Sequence, residues 1–424
     1  MRILLTPCSA PHLPRWRAWP VLVALLAGLC ATPVWADDGD DGGSSDASDG
    51  SQQVEIEEVP LAVDAESFSV NELVALNPSN AALASAARLG LSVVERSTQP
   101  GLSLRVVRLR LPAGLDARSA LDVLAPAHPD TFDLHHRYAL AQAPAAPACQ
   151  GAHCGSWAQV AWPADAAACG RAQRIGIIDT EVAAEHPALR GADIVRMRFL
   201  ADGRTPSDDD HGTVVAGLLV AAPSPQAGAG LVPRARLLAA NSFHRLPSGS
   251  TSADALDLIK ALDWLVTQRV RVVGMSLAGP PNRALAAAIE QAHRRGVLVV
   301  AAAGNGGPNA PPAYPAAWSP VLAVTAIDAA GRPYRRAQQG EHIDFAAPGV
   351  GLAGLAAADG PGARSGTSFA VPFVVALASQ TLQQGLLGAD DWQRGASRLV
   401  QDLGAPGRDA VFGWGLPRLA QACR

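Results

Sequence analysis

Lysine is nearly absent: Lys260 is the only one among 34 basic residues, so the cationic surface is built from arginine. Those arginines are scattered singly or in pairs, and the formal net charge is −4, which leaves no basic stripe to meet a phosphate backbone. A nucleic-acid partner is therefore not expected. Aromatic residues make up 5% of the chain and no series of alternating barrel strands is visible, which argues against an outer-membrane barrel. Long apolar runs are missing too. The run VLVALLAGLC (21–30) falls short of the ~20 residues that a spanning helix needs, so no membrane span is expected in the mature protein.

That run instead has the anatomy of a leader. Arg2, Arg15 and Arg17 precede it, and Val34-Trp35-Ala36 offers a small-residue cleavage site, so residues 1–36 read as a signal peptide. Leu29 is too bulky to precede a lipid-modified Cys30. The expected product is exported, to the periplasm or the outside of the cell. Cysteine is scarce, and Cys8 and Cys30 leave with the leader; Cys149, Cys154, Cys169 and Cys423 remain. In an oxidising compartment these favour two disulfides, of which several pairings are formally open. A local Cys149–Cys154 loop and a Cys169–Cys423 tie are the expected pair. A zinc site lacks a framework, because ACQGAHCGSW has no matching second pair.

Next comes DDGDDGGSSDASDGSQQ (37–53), an acidic tract with nothing to bury, read as a disordered spacer. Residues 54–141 then show a small mixed pattern. NAALASAARLG (80–90) and DARSALDVLAPAH (116–128) read as helices, and LSVVERS (91–97), LSLRVVRLRL (102–111) and FDLHHRYAL (132–140) as strands. With a first strand near 68–76 this is a ferredoxin-like split βαβ unit. AQAPAAPA (141–148) opens an Ala/Pro linker, placed at 142–160.

From 161 to 424 short continuous apolar runs alternate with helical patterns. RIGIIDT, IVRMRFL, ARLLAANSF, RVVGMSL, VLVVAAAG and VLAVTAI read as strands covered on both faces. SADALDLIKALDWLVTQ (252–268) and PNRALAAAIEQAHRRG (281–296) read as helices, the first with Asp254, Asp257, Lys260 and Asp263 opposite its apolar side. The fold class that follows is α/β, a mostly parallel sheet covered by helices on both faces, preceded by a small α+β unit.

In such sheets functional groups gather at strand C-termini and at the helix starts that follow. Four stretches place polar residues there: IGIIDT ends on Asp179, DDDHGTVVAG starts a helix at His211, VVAAAGNGG ends on Asn305, and RSGTSFAVP starts a helix at Ser368. Taken singly, each fits a turn or a cap. Together they supply what acyl transfer requires. A serine hydroxyl needs a base to take its proton, that imidazole needs a carboxylate to orient it, and the tetrahedral intermediate needs an amide donor.

The four stretches resemble the signature blocks of the subtilisin-like serine protease (subtilase) family. The resemblance extends over roughly residues 165–421 and includes VVGMSLAGP, YPAAWSPVLAVTA, DFAAPG and DLGAPGRDAVFGWG. It implies a subtilisin-like peptidase domain acting as a serine endopeptidase on polypeptides. Asp179 would orient His211, His211 would act as base and acid, and Ser368 would be the nucleophile. Asn305 and the Ser368 backbone N–H would hold the oxyanion. Ser276, Leu277, Ala278 and Gly279 would border the substrate groove by β-augmentation. Ala301, Ala302, Ala303 and Gly304 would wall the primary specificity pocket, with Ala313 near its base, so an apolar residue is expected before the scissile bond. The 54–141 unit would be a propeptide, both intramolecular chaperone and inhibitor, removed by self-processing between 140 and 150.

The chemistry requires no cofactor. No catalytic metal is expected, and no motif supports a structural calcium ion. The protein is expected to be a monomer. Glu181 stands where the family usually has glycine, Val214 replaces a histidine or aromatic, and Phe369 and Phe373 replace the usual Met and His. Glu181 motivates the rival reading, a catalytically silent subtilisin-fold protein that binds peptides.

Overall fold

The apolar runs that read as buried strands do form one sheet. The computed structural model describes residues 67–142, 156–162, 168–222, 229–352 and 363–418, all within one compact unit. The leader, the acidic spacer, Cys149, Cys154, Cys423 and most of the linker lie outside the described residues.

The N-terminal part runs β1 (Phe68–Leu76), α1 (Asn80–Arg88), β2 (Ser92–Gln99), β3 (Leu104–Arg110), α2 (Ala117–Leu124) and β4 (Phe132–Leu140). Ser79 and Asp116 cap the two helices by accepting from the N–H groups of Ala82 and Ser119. The four strands are antiparallel in the order β2-β3-β1-β4. Leu73, Leu109, Ala120 and Phe132 belong to the small core that the helices cover.

After the short α3 (Ser156–Gln159) the chain alternates strands and helices. The elements are β5 (Arg174–Asp179), β6 (Ile194–Arg198), α4 (Asp210–Val220), β7 (Arg236–Asn241), β8 (Phe243–Arg245), β9 (Thr251–Asp254) and α5 (Ala255–Thr267). There follow β10 (Val272–Met275), β11 (Leu277–Ala278), α6 (Arg283–Arg294), β12 (Leu298–Ala302), β13 (Val321–Ile327), β14 (Phe345–Pro348) and α7 (Thr367–Gln383). Seven of these strands make a parallel sheet in the order β14-β13-β12-β10-β5-β7-β6. Alternate residues feed two cores: Ile175 and Ile177 pack with α4 and α7, whereas Ile178 and Val273 pack with α5 and α6. The covered, mostly parallel α/β sheet predicted from the sequence is the observed one.

Two local expectations change. Residues 252–254 do not begin α5; they lie in β9, where Arg137 and Tyr138 of β4 pair with Asp254 and Ala253. The polar side of α5 is also not wet. Asp254, Asp257 and Asp263 are buried, and Asp257 accepts from Ala201 N–H at 3.2 Å. Leu102 N–H donates to Asp263 at 2.8 Å, Lys260 pairs with Glu95 at 2.5 Å, and Arg204 donates to Asp254 at 2.8 Å.

Pro372 sits inside α7. It cannot donate to the carbonyl one turn back, that of Ser368. That carbonyl accepts instead from the Ser276 hydroxyl at 3.1 Å. The helix therefore continues past the proline without leaving a buried acceptor empty.

Candidate active site

Asp179 closes β5 and is buried; His211 opens α4, a helix buried on nearly every side. Three hydrogen bonds lace the two together. His211 Nδ1 lies 2.6 Å from Asp179 Oδ1, Gly212 N–H donates to Thr180 Oγ1 at 2.8 Å, and Ala183 N–H donates to Thr213 Oγ1 at 2.8 Å. Gly212 must be glycine, since a Cβ there would run into the carbonyls of Thr180 and Glu181. With the carboxylate accepting from Nδ1–H, Nε2 keeps its lone pair, and that nitrogen is buried without a hydrogen-bond partner among the described residues.

The hydroxyls of the Ser-Gly-Thr-Ser stretch have different occupations. Ser365 Oγ accepts from Gly351 N–H at 3.0 Å, and Thr367 Oγ1 bonds Asn305 Oδ1 at 3.0 Å and accepts from Gly304 N–H at 3.2 Å. Ser368 Oγ is buried and has no hydrogen-bond partner among the described residues. The imidazole of His211 lies against Phe369, the next residue, with ring centroids 5.0 Å apart. Phe373 packs edge-on against Trp157, and Val214 belongs to the core under α4, so these departures from the family pattern serve packing.

Asn305 is oriented by its carbonyl oxygen, which accepts from Thr367 N–H at 3.2 Å as well as from the Thr367 hydroxyl. Its Nδ2 is thereby the other end, buried and without a hydrogen-bond partner among the described residues. The backbone N–H of Ser368 is not idle. It donates to the carbonyl oxygen of Ala141 at 3.1 Å.

Ala141 reaches that position because β4 leaves its own sheet. Beyond its pairing with β1, β4 pairs with β9 on one side and with β11 on the other, Leu140 opposite Leu277 and Ala139 opposite Ala278. Ala141 N–H then donates to Ser276 O at 3.3 Å. The stretch 276–279, expected to border the groove, lies along residues 138–141. Gly366 is packed against the same turn: a Cβ on it would stand 2.6 Å from Ala141 O and 2.8 Å from Gln142 Cα.

The expected pocket wall divides. Ala301 and Ala302 lie in β12 with side chains in opposite cores, and Ala303 is buried. Gly304 and Ala313 meet at Gln338, whose N–H donates to Gly304 O at 3.1 Å and whose Oε1 accepts from Ala313 N–H at 3.0 Å. Gln338 was not legible in RRAQQGE, which reads as an ordinary polar loop. Glu181 turns away from the histidine. Its Oε1 accepts from Arg198 and, at 3.0 Å, from Asn241 Nδ2, on the outer strands of the sheet. The acidic run before His211 is paired, Asp208 with Arg245 at 3.3 Å and Asp210 with Arg364 at 2.8 Å. Among the described residues no three His, Cys, Asp or Glu side chains converge as a metal site, and no helix is long and apolar enough to cross a membrane.

The subtilase (peptidase S8) family model matches residues 170–415. The chain belongs to this family of serine endopeptidases. It is 34% identical to thermitase of Thermoactinomyces vulgaris over 219 residues, 51% of this chain and 77% of thermitase. It is 33% identical over 211 residues to the minor extracellular protease Epr of Bacillus subtilis, 49% of this chain but only 32% of Epr. The solved structure of fervidolysin from Fervidobacterium pennivorans, a keratinolytic enzyme related to subtilisin, shares the fold with a TM-score of 0.65 at 20% identity. That likeness covers 84% of this chain and 61% of fervidolysin.

Proposed function

We propose that the protein is an exported serine endopeptidase made as a zymogen that cuts itself between Ala141 and Gln142. One observation carries this reading: the Ala141 carbonyl rests on the Ser368 backbone N–H beside a buried, unpartnered Ser368 hydroxyl. A carbonyl on an oxyanion donor, next to a nucleophile, is a substrate carbonyl in position.

The residues then take the following parts. Ser368 Oγ attacks the Ala141 carbonyl carbon while His211 Nε2 removes its proton, and Asp179 stabilises the imidazolium. The oxygen that gains charge is held by the Ser368 N–H and by Asn305 Nδ2. His211 returns the proton to the Gln142 nitrogen, which leaves, and water then hydrolyses the acyl-enzyme by the same relay. No cofactor enters. Residues 54–141 act as propeptide and 161–424 as peptidase, Cys169 pairs with Cys423 and Cys149 with Cys154, and the product is a monomer in the periplasm or outside the cell.

Wild type and Ser368→Ala are compared by intact mass after export. The wild type is expected to begin at Gln142 with a separate propeptide fragment, and Ser368→Ala to keep the two joined. A wild type that stays uncut and does not react with a fluorophosphonate would leave the silent peptide-binding reading in place.

A further inference from the structure

We infer that the ion pair between Arg364 and Asp210 sets the distance between the nucleophile and its base, which makes these two the positioning residues of the reaction. The inference rests on the reading above, in which Ser368 attacks and His211 takes its proton.

The two halves of the site are each held firmly, but to different parts of the sheet. On one side, the start of α4 is fastened to the chain leaving β5. Gly212 N–H donates to Thr180 Oγ1, Ala183 N–H donates to Thr213 Oγ1, and His211 meets Asp179. On the other side, the segment that delivers Ser368 is fastened to the chain just after β14 and to Asn305. Arg364 exchanges both backbone hydrogen bonds with Leu352, at 2.8 and 3.0 Å. Ser365 Oγ accepts from Gly351 N–H, Gly366 N–H donates to Gly349 O at 2.8 Å, and Thr367 N–H donates to Asn305 Oδ1. None of these bonds runs from one half to the other. His211 Nε2 and Ser368 Oγ do not supply one either, since neither atom has a hydrogen-bond partner among the described residues.

Where the halves meet, α4 and α7 pack through apolar side chains and the His211 ring lies on Phe369. Apolar contact is non-directional and fixes no distance between two particular atoms. A directional tie is supplied by Arg364, whose Nη2 donates to Asp210 Oδ1 at 2.8 Å. Asp210 stands immediately before His211 in the first turn of α4, so a shift of its carboxylate carries the imidazole with it. Arg364 precedes Ser368 by one short, backbone-bonded stretch, so its guanidinium reaches out from a fixed base. The two side chains are only 16% and 22% exposed, which leaves this charge-assisted hydrogen bond little screened by water. A misplacement of about 1 Å between reacting groups can cost ~10²-fold in rate, so the worth of the tie is expected in kcat.

The test uses the full chain after processing, its active sites counted with a fluorophosphonate. Wild type is compared with Arg364→Met, which keeps an apolar stem but no donor, with Asp210→Ala, with the two combined, and with Asp210→Asn. For each, kcat and KM are measured on one peptide anilide, and the rate of labelling by the small fluorophosphonate is measured in parallel. Arg364→Met and Asp210→Ala are each expected to lose about 10- to 100-fold in kcat and in labelling rate per labelled site, with KM within about 2-fold of wild type. The combined variant should be no slower than the slower single one, because both changes remove the same tie. Asp210→Asn keeps an oxygen where Arg364 donates and should recover most of the lost rate. Rates per labelled site that match wild type would overturn the inference, even where fewer sites form, because the pair would then serve folding alone. Losses that multiply in the combined variant, or that fall on KM only, would overturn it as well. Wild type that the probe does not label overturns the underlying reading, and this inference with it.

Discussion

The hydroxyl of Ser276 donates to the backbone carbonyl of Ser368 at 3.1 Å, where Pro372 leaves α7 one N–H short. A residue of the proposed substrate groove thus supports the backbone of the proposed nucleophile. Ser276→Ala leaves that carbonyl unpaired in the core and is expected to cost about 1–3 kcal/mol of stability. Pro372→Ala restores the helical donor, so Ser276→Ala/Pro372→Ala should be more stable than Ser276→Ala alone. Denaturant midpoints measured in a Ser368→Ala background, where self-digestion is absent, decide this. Additive losses would show that the two groups do not serve the same carbonyl.

Asn305→Ala removes one of the two proposed oxyanion donors and leaves the groove residues unchanged. Its kcat is expected to fall on the order of 10²- to 10³-fold with little change in KM, the general cost of losing one such donor. Steady-state kinetics on one anilide substrate measures both constants. A loss confined to KM would place Asn305 in ground-state binding instead.

Glu181→Gln should leave kcat/KM close to that of the wild type. The carboxylate is engaged by Arg198 and Asn241 at the sheet edge, and its half-exposed ion pair contributes little. A variant that gains activity over a silent wild type would make Glu181 an inactivating substitution.

Acid is expected to loosen the cleaved propeptide. His136 of β4 is bonded at Nδ1 by Asn282 Nδ2, 3.1 Å away, and the amide's orientation is fixed because its Oδ1 accepts from Leu285 N–H. The ring nitrogen must accept, so the seated imidazole is neutral. Burial accordingly lowers its pKa, against the pull of Asp133 and with the repulsion of His135 and Arg118. Above the free-imidazole value of about 6.5 the contact is fully present, and it weakens as pH falls below that value, because the released propeptide takes up a proton that the bound one refuses. His244 of β8, pushed down to about 4 by burial, acts in the same direction where its burial depends on the N-terminal part. Asp257, raised to about 6 by burial, opposes the trend below that pH. Peptidase activity released from the processed complex should therefore rise from pH 7.5 to about 6, and His136→Asn should flatten the rise.

The places of the candidate catalytic residues were legible because a covered parallel sheet writes itself as apolar runs broken at polar residues. Asp179 and His211 stand at such breaks, and Asn305 follows one closely. Partnerships across distance left no such trace. The acids of α5 looked like a wet face because a protein surface and an internal interface have the same local pattern, and only the pairing of Leu102 with Asp263 distinguishes them. Gln338 was hidden in the same way, its role set by Gly304 and Ala313 rather than by its neighbours in sequence. The acceptor that Pro372 leaves without its helical donor is filled by Ser276, almost a hundred residues earlier in the chain.

The strand β4 is claimed by both parts of the molecule, pairing with β1 of the N-terminal part and with β9 and β11 of the part that follows. Breaking the Ala141–Gln142 bond cuts the covalent thread but removes none of those ladders. Under the proposed self-processing, the cut and the opening of the groove are therefore separate events, with separate clocks. The first is timed by chemistry within one molecule and is indifferent to dilution. The second is timed by the peeling of a shared strand, and each enzyme molecule stays closed to outside substrates for as long as that strand stays paired.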